Sequence, residues 1–128
     1  MKQLFLTLFV TGLFLHGAFA QNISSYFKDI SKSDITKLSE KFSTDMEVCV
    51  NNSQEFMSKS EAIKAVNKFL QSVEPFSGAE LHQGSSKTKS SQYRVGQLKT
   101  AKGNYRVFIY LEGDAKDFEI VGLLFNPE

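Results

Sequence analysis

From residue 23 to residue 42 the apolar positions are Ile23, Phe27, Ile30, Ile35, Leu38 and Phe42, three to five residues apart. Spacing near 3.6 gathers such side chains on one helix face. The run is interrupted at Ser31–Ser33, and Ser33-Asp34 can cap a new start, so two amphipathic helices are predicted. The period then changes. In STDMEVCVNNSQEFMS, Met46, Val48 and Val50 alternate with Glu47 and Cys49, which predicts a strand, a turn at Asn51-Asn52-Ser53 and a return strand over Glu55–Met57. Ser58-Lys59-Ser60-Glu61 has the spacing of a capping box. The helix it opens carries Ile63, Val66, Phe69, Leu70 and Val73 on one face and stops before Pro75. From Gly78 onward strands take over, at Ala79–Ser85, Ser91–Ala101, Asn104–Glu112 and Phe118–Phe125, with polar loops between them. The order helix, helix, two strands, helix, four strands predicts an α+β cone: a strongly bent antiparallel sheet with three helices on one side.

One feature of the strands invites a functional reading. Tyr-Arg-Val occurs twice, at residues 93–95 and 105–107. With Lys102-Gly103 as the hairpin turn, Thr100 faces Tyr105, Leu98 faces Val107, Gly96 faces Ile109 and Arg94 faces Leu111. The two tyrosines then lie on opposite faces, as do the two arginines, so the doublet is not one composite site. Aromatic and β-branched residues are the ordinary filling of a half-buried pleated surface. Arg94 is the exception, because it shares a face with Leu98, Tyr105, Val107, Ile109 and Leu111. A charge there needs a carboxylate such as Glu47, an exposed strand end or a ligand.

The first twenty residues add a compartment. Lys2, an apolar run from Leu4 to Leu15, and Ala18 and Ala20 around Phe19 have the layout of a cleaved export signal, with the cut after Ala20. A polar QNISS follows the short run, unlike a membrane anchor, and Gln21 stands where a lipoprotein needs cysteine. Residues 21–128 then form one domain, exported to a bacterial periplasm or secreted. Over the whole chain 15 Lys and Arg oppose 14 Asp and Glu, and losing Lys2 leaves the remainder neutral. Such a chain lacks the basic footprint of nucleic-acid binding. Its single cysteine, Cys49, cannot close an internal disulfide and is expected to be a buried strand residue. Asn22 and Asn51 fit the glycosylation pattern, which matters only in a eukaryotic source.

His82-Gln83-Gly84, then Tyr93, Val95, Gly96, Leu98 and Thr100, then Gly103, Tyr105, Arg106 and Val107 together resemble the strand region of an exported bacterial family, domain of unknown function 4783. The resemblance extends through the Ser60–Val73 helix and the Met46–Val50 strand. It implies a nuclear-transport-factor-2-like cone with room for a pocket, and it implies no reaction.

Catalytic relatives in that superfamily rely on an Asp or His base within the cone. His82 is the lone histidine after residue 20, and strand parity leaves it either outward or in the cone. The carboxylates gather at turns and helix starts, and no spacing suits a metal, a phosphate loop or a nucleophile elbow. No cofactor is expected. A non-catalytic module is favoured, one holding a small apolar ligand or a protein partner through His82, Tyr93, Arg94, Tyr105, Arg106, Phe108 and Tyr110. Homodimerisation through the sheet face would cover Phe108 and Tyr110. The alternative is a small-molecule enzyme of isomerase or hydratase type, with His82, Arg94 and a tyrosine in the cone.

Overall fold

Ile23, Tyr26, Phe27 and Ile30 are buried along one side of helix α1, residues 23–31, the stripe the spacing predicts. The computed structural model describes residues 23–85, 90–114 and 117–128. The export signal expected over residues 1–20 lies outside them. After α1, Ser33 takes a positive φ of 58° and turns the chain. Asp34 then closes the start of helix α2 (Thr36–Glu40), its Oδ1 accepting from the Thr36 amide at 3.1 Å and the Thr36 hydroxyl at 2.7 Å. Helix α2 is shorter than expected. Phe42, four residues after Leu38 and so in phase with a helix, instead begins strand β1 (Phe42–Val50).

Asn51 and Asn52 both adopt positive φ, 52° and 63°, the pair of left-handed residues that a tight hairpin turn demands. They return the chain as β2 (Ser53–Ser58), Val50 pairing with Ser53 and Asp45 with Ser58. Ser58 caps helix α3 (Lys59–Val73), its hydroxyl accepting from the Glu61 amide. Replacing Ser58 by Ala should cost about 0.5–1 kcal/mol, read as a lower urea midpoint. An unchanged midpoint would mean that water serves this helix end equally well. Glu74, left-handed at φ 55°, ends α3, and Pro75 opens β3 at once. Proline fits there because β3 is an edge strand and its missing N–H breaks no central ladder.

The remaining strands are β3 (Pro75–Ser85), β4 (Ser91–Thr100), β5 (Gly103–Gly113) and β6 (Phe118–Pro127). They complete a six-stranded sheet in the order β2-β1-β6-β5-β4-β3. All pairings are antiparallel but one: β1 and β6 run parallel, because α3 carries the chain to the far edge before it meanders back. Register shifts in β1, β3 and β5–β6 bend the sheet, as bulges do.

The β4–β5 hairpin turns at Ala101-Lys102, one residue earlier than the sequence reading. Thr100 therefore faces Gly103, Leu98 faces Tyr105 and Arg94 faces Ile109. The slip is two residues, an even number, so every side chain keeps its face. The turn is held by the Thr100 hydroxyl, which donates to the Gly103 carbonyl at 2.6 Å and accepts from the Lys102 amide at 3.0 Å.

The inner face of the sheet and the three helices share one core. Leu98, Tyr105, Val107, Ile109, Ile120, Leu123 and Phe125 meet Phe27, Leu38, Val66, Phe69 and Leu70. Phe69 packs edge-on to Tyr105 at 5.1 Å and against Phe125 at 4.8 Å. Phe27 lies directly over Gly96, where a Cβ would fall inside the ring. At that point the cone is filled by protein.

Candidate functional site

The seven candidate residues do not converge. Tyr105 and Arg94 point to the inner face, and His82, Tyr93, Arg106, Phe108 and Tyr110 to the outer one, as the pairings of β3, β4 and β5 require. Tyr105 is a core residue. His82 is separated from the cone by a bulge: Glu80 pairs with Gly96 and His82 with Val95, leaving Leu81 unpaired. Without that extra residue Glu80 and His82 would share a face. His82 is exposed and sits edge-on to Tyr93 at 6.2 Å.

On the outer face the aromatic rings form a row. Tyr93 and Tyr110 are paired across β4 and β5 with ring centres 6.4 Å apart, and Phe108 stacks with Tyr110 at 6.3 Å and 10°. Two of these rings shield glycines. Tyr93 occupies the space that a Cβ at Gly84 would take, and Tyr110 lies over its partner Gly122. Beside Tyr110 is an open groove of about 400 Å³, bordered by Glu47, Gln54, Glu112 and Leu124. Gln54 donates to Glu47 across β1 and β2. At the other end Arg106 Nη2 contacts Glu128 Oε2 at 3.1 Å, and Gln97 Nε2 donates to Glu128 Oε1 at 2.9 Å. Phe56 on β2 pairs with Glu47, so it adds to this face, and it is 74% exposed.

Arg94 is the second centre. It is 5% exposed, on the apolar face where parity predicts it. Its carboxylate partner is Glu80, not Glu47, which lies on the outer face. Arg94 Nη1 and Glu80 Oε1 are 3.7 Å apart, an ion pair too long for a hydrogen bond. Arg94 Nε and Nη1 and Glu80 Oε1 are closed off from solvent, and none has a hydrogen-bond partner among the described residues. Such an unmet buried polar group costs about 1–3 kcal/mol. Next to the pair is a polar cavity of about 310 Å³ lined by Gln83, Gly84, Gln92 and Arg94. The sequence reading missed Glu80, Gln83 and Gln92, since only the β3–β4 register brings them to Arg94.

Among the described residues no group of three His, Cys, Asp or Glu could hold a metal ion, and no helix is long and apolar enough to cross a membrane. Cys49 is buried on β1, its Sγ 3.9 Å from Asn126 Oδ1. Burial, with Glu47 adding to it, pushes its thiol above the ordinary 9.0. Burial also pushes the Tyr26 phenol above 10.0, reinforced by Glu40 and Asp29. In both cases the folded chain holds its proton more tightly than the unfolded one. That stability is intact below pH 9 and is lost as the pH rises from 9 through the raised values. The urea midpoint should therefore fall as the pH rises above 9, and a Cys49→Ala/Tyr26→Phe variant should fall less. An equal fall in the variant would assign the alkaline loss to other groups.

Comparison with known proteins places this geometry. Residues 20–126 match the family model described as Domain of unknown function (DUF4783). A crystal structure of a DUF4783 family protein from Bacteroides ovatus superposes with a TM-score of 0.72 at 18% identity, covering 81% of this chain and 93% of that one. One from Bacteroides fragilis gives 0.71 at 17%, covering 81% and 96%. An NTF2-like protein of unknown function from Shewanella baltica gives 0.59 at 12%, covering 91% and 95%. At these identities the likeness is one of fold. No curated protein matches the chain.

Proposed function

The chain belongs to the family Domain of unknown function (DUF4783), and from that premise we propose that it is an exported, non-catalytic module that binds a protein partner through the outer face of its sheet. The observation that carries this reading is the row Tyr93, Tyr110 and Phe108, with exposed Phe56 at the β2 edge of the same face. Aromatic rings with arginine nearby are the residues that anchor protein interfaces. Acidic Glu47 and Glu112 border the groove beside Tyr110, while Arg106 lies farther along β5. An aromatic row that continues to exposed Phe56 at a sheet edge can meet its own copy across a two-fold axis, each copy covering the other's rings, so the partner proposed is a second copy of this chain. The alternative, an isomerase- or hydratase-like enzyme, draws no support from the geometry: His82 faces outward and Phe27 fills the cone beneath Gly96.

Sedimentation equilibrium of the chain starting at Gln21 is expected to give twice the chain mass, and Tyr110→Asp to give one chain mass with the far-ultraviolet spectrum unchanged. A single-chain mass for the unaltered protein at high concentration would rule out the homodimer. Export has its own measurement: intact mass of protein from the host's export compartment should correspond to cleavage after Ala20. A mass retaining Lys2 would contradict it.

A further inference from the structure

Arg94 combines three properties that a structural arginine seldom has together. It is more than nine-tenths buried, two of its nitrogens have no acceptor among the described residues, and it borders a polar cavity. Among the described residues the cavity's polar side chains are Gln83 and Gln92, whose amides offer N–H donors as well as an oxygen, and the Arg94 guanidinium. The carboxylate set against Arg94 among the described residues is Glu80, held 3.7 Å away. Glu80 is also the freer partner: its side chain is 21% exposed, against 6% for Arg94. Its side chain therefore has the shorter path to solvent.

We infer that this cavity is a carboxylate-binding site, in which a ligand carboxylate takes the place of Glu80 on Arg94 and is held by the amides of Gln83 and Gln92. Glu80 is then a resident competitor. It keeps the guanidinium neutralised when the cavity holds no ligand, and it sits too far away to satisfy the donors it faces. A planar pair of oxygens meets an arginine and flanking amides better than a monatomic anion does. A cavity of about 310 Å³ suits a small acid or the last residues of a peptide. Arg94 points to the opposite face of β4 from the aromatic row, while Gln92 also borders the groove beside Tyr110, so the Arg94 signal is the readout that separates this site from the proposed dimer.

The test is a nitrogen-15 NMR titration that follows the Arg94 Nε–Hε and the Gln83 and Gln92 side-chain amide signals, with Arg106 as the exposed control. Sodium acetate is one probe, an N-acetylated alanine dipeptide with a free C-terminus another, and the same dipeptide as its amide a third; sodium chloride matches ionic strength. Acetate is expected to move the Arg94, Gln83 and Gln92 signals saturably and to leave Arg106 in place. Glu80→Gln, which removes the competing charge, should tighten binding about fivefold, and Arg94→Met should abolish the response at the two glutamine amides. If the dipeptide acid binds more tightly than acetate and its amide does not bind, the natural carboxylate is a peptide terminus. If acetate binds as well or better, it is a small acid. Signals at Arg94 unmoved by either acid, an equal shift at Arg106, or weaker binding in Glu80→Gln would overturn the site. Should Glu80→Gln fail to fold, the titration of the unaltered protein and its Arg106 control still decide.

Discussion

Gly96→Val is expected to destabilise the domain by about 3 kcal/mol or more and to leave much of it unfolded in mild urea. The reason lies in one contact. The Phe27 ring of α1 lies against Gly96, and a side chain there would occupy the volume of that ring as well as crowd the Ala79 carbonyl across the strand pair. Phe27 is 1% exposed and belongs to the shared core. Overpacking a dense core costs about 1–3 kcal/mol when side chains alone can adjust. Here a strand backbone must shift as well, and with it the seat of α1. Phe27→Leu, which shortens the obstructing ring, should recover part of the loss in Gly96→Ala. Coupling of that kind appears when two residues share one volume. Gly96→Val unfolding at the urea concentration of the unaltered protein would show that α1 does not seat on this glycine.

The same glycine shows which parts of the fold were legible in the sequence. Helix α3 was, because its cap, its apolar stripe and its stop before Pro75 all agree. So was the β1–β2 turn, since consecutive asparagines are among the few non-glycine residues at ease at positive φ. The end of α2 was not, because Phe42 keeps helical phase with Leu38 and only pairing with Ile120 makes it a strand residue. The start of β3 was hidden too. Pro75-Phe76-Ser77-Gly78 has turn chemistry, and its strand state comes from lying along β4.

Face assignment proved more robust than register. With the β4–β5 turn one residue earlier than expected, every partner moves by two and no face changes, so Arg94 keeps the apolar side that parity predicts and pairs with Ile109 in place of Leu111. The bulge at Leu81 has no local sequence signal. It puts His82 outside and Glu80 beside Arg94, and so it decides both which residue could have been a base in the cone and which one neutralises the buried charge. Arg94 is legible as a problem, and its answer, Glu80, lies fourteen residues away on another strand.

That buried charge supplies the second large effect, and it is asymmetric. Glu80→Leu is expected to cost about 2–3 kcal/mol, because it strands a guanidinium that is closed off from water; breaking a buried pair from one side runs to about 3–5 kcal/mol, and the 3.7 Å separation places this one at or below the lower end. Arg94→Met should cost less. The carboxylate it leaves is the more exposed member and can turn outward, while the methionine fills the apolar stem of the site. The double variant Glu80→Leu/Arg94→Met removes both charges and both unmet donors, so it should lie close to the unaltered protein and well above the sum of the two single losses. Urea unfolding of the four proteins at pH 7 closes the cycle. Equal losses for the two single variants would mean that Arg94 reaches water as readily as Glu80, and strictly additive losses would mean that the two groups do not interact. The expected pattern, a severe loss from Glu80, a mild one from Arg94 and near-recovery from both, belongs to an arginine retained at some cost to stability, as a ligand-binding residue is and a structural one need not be.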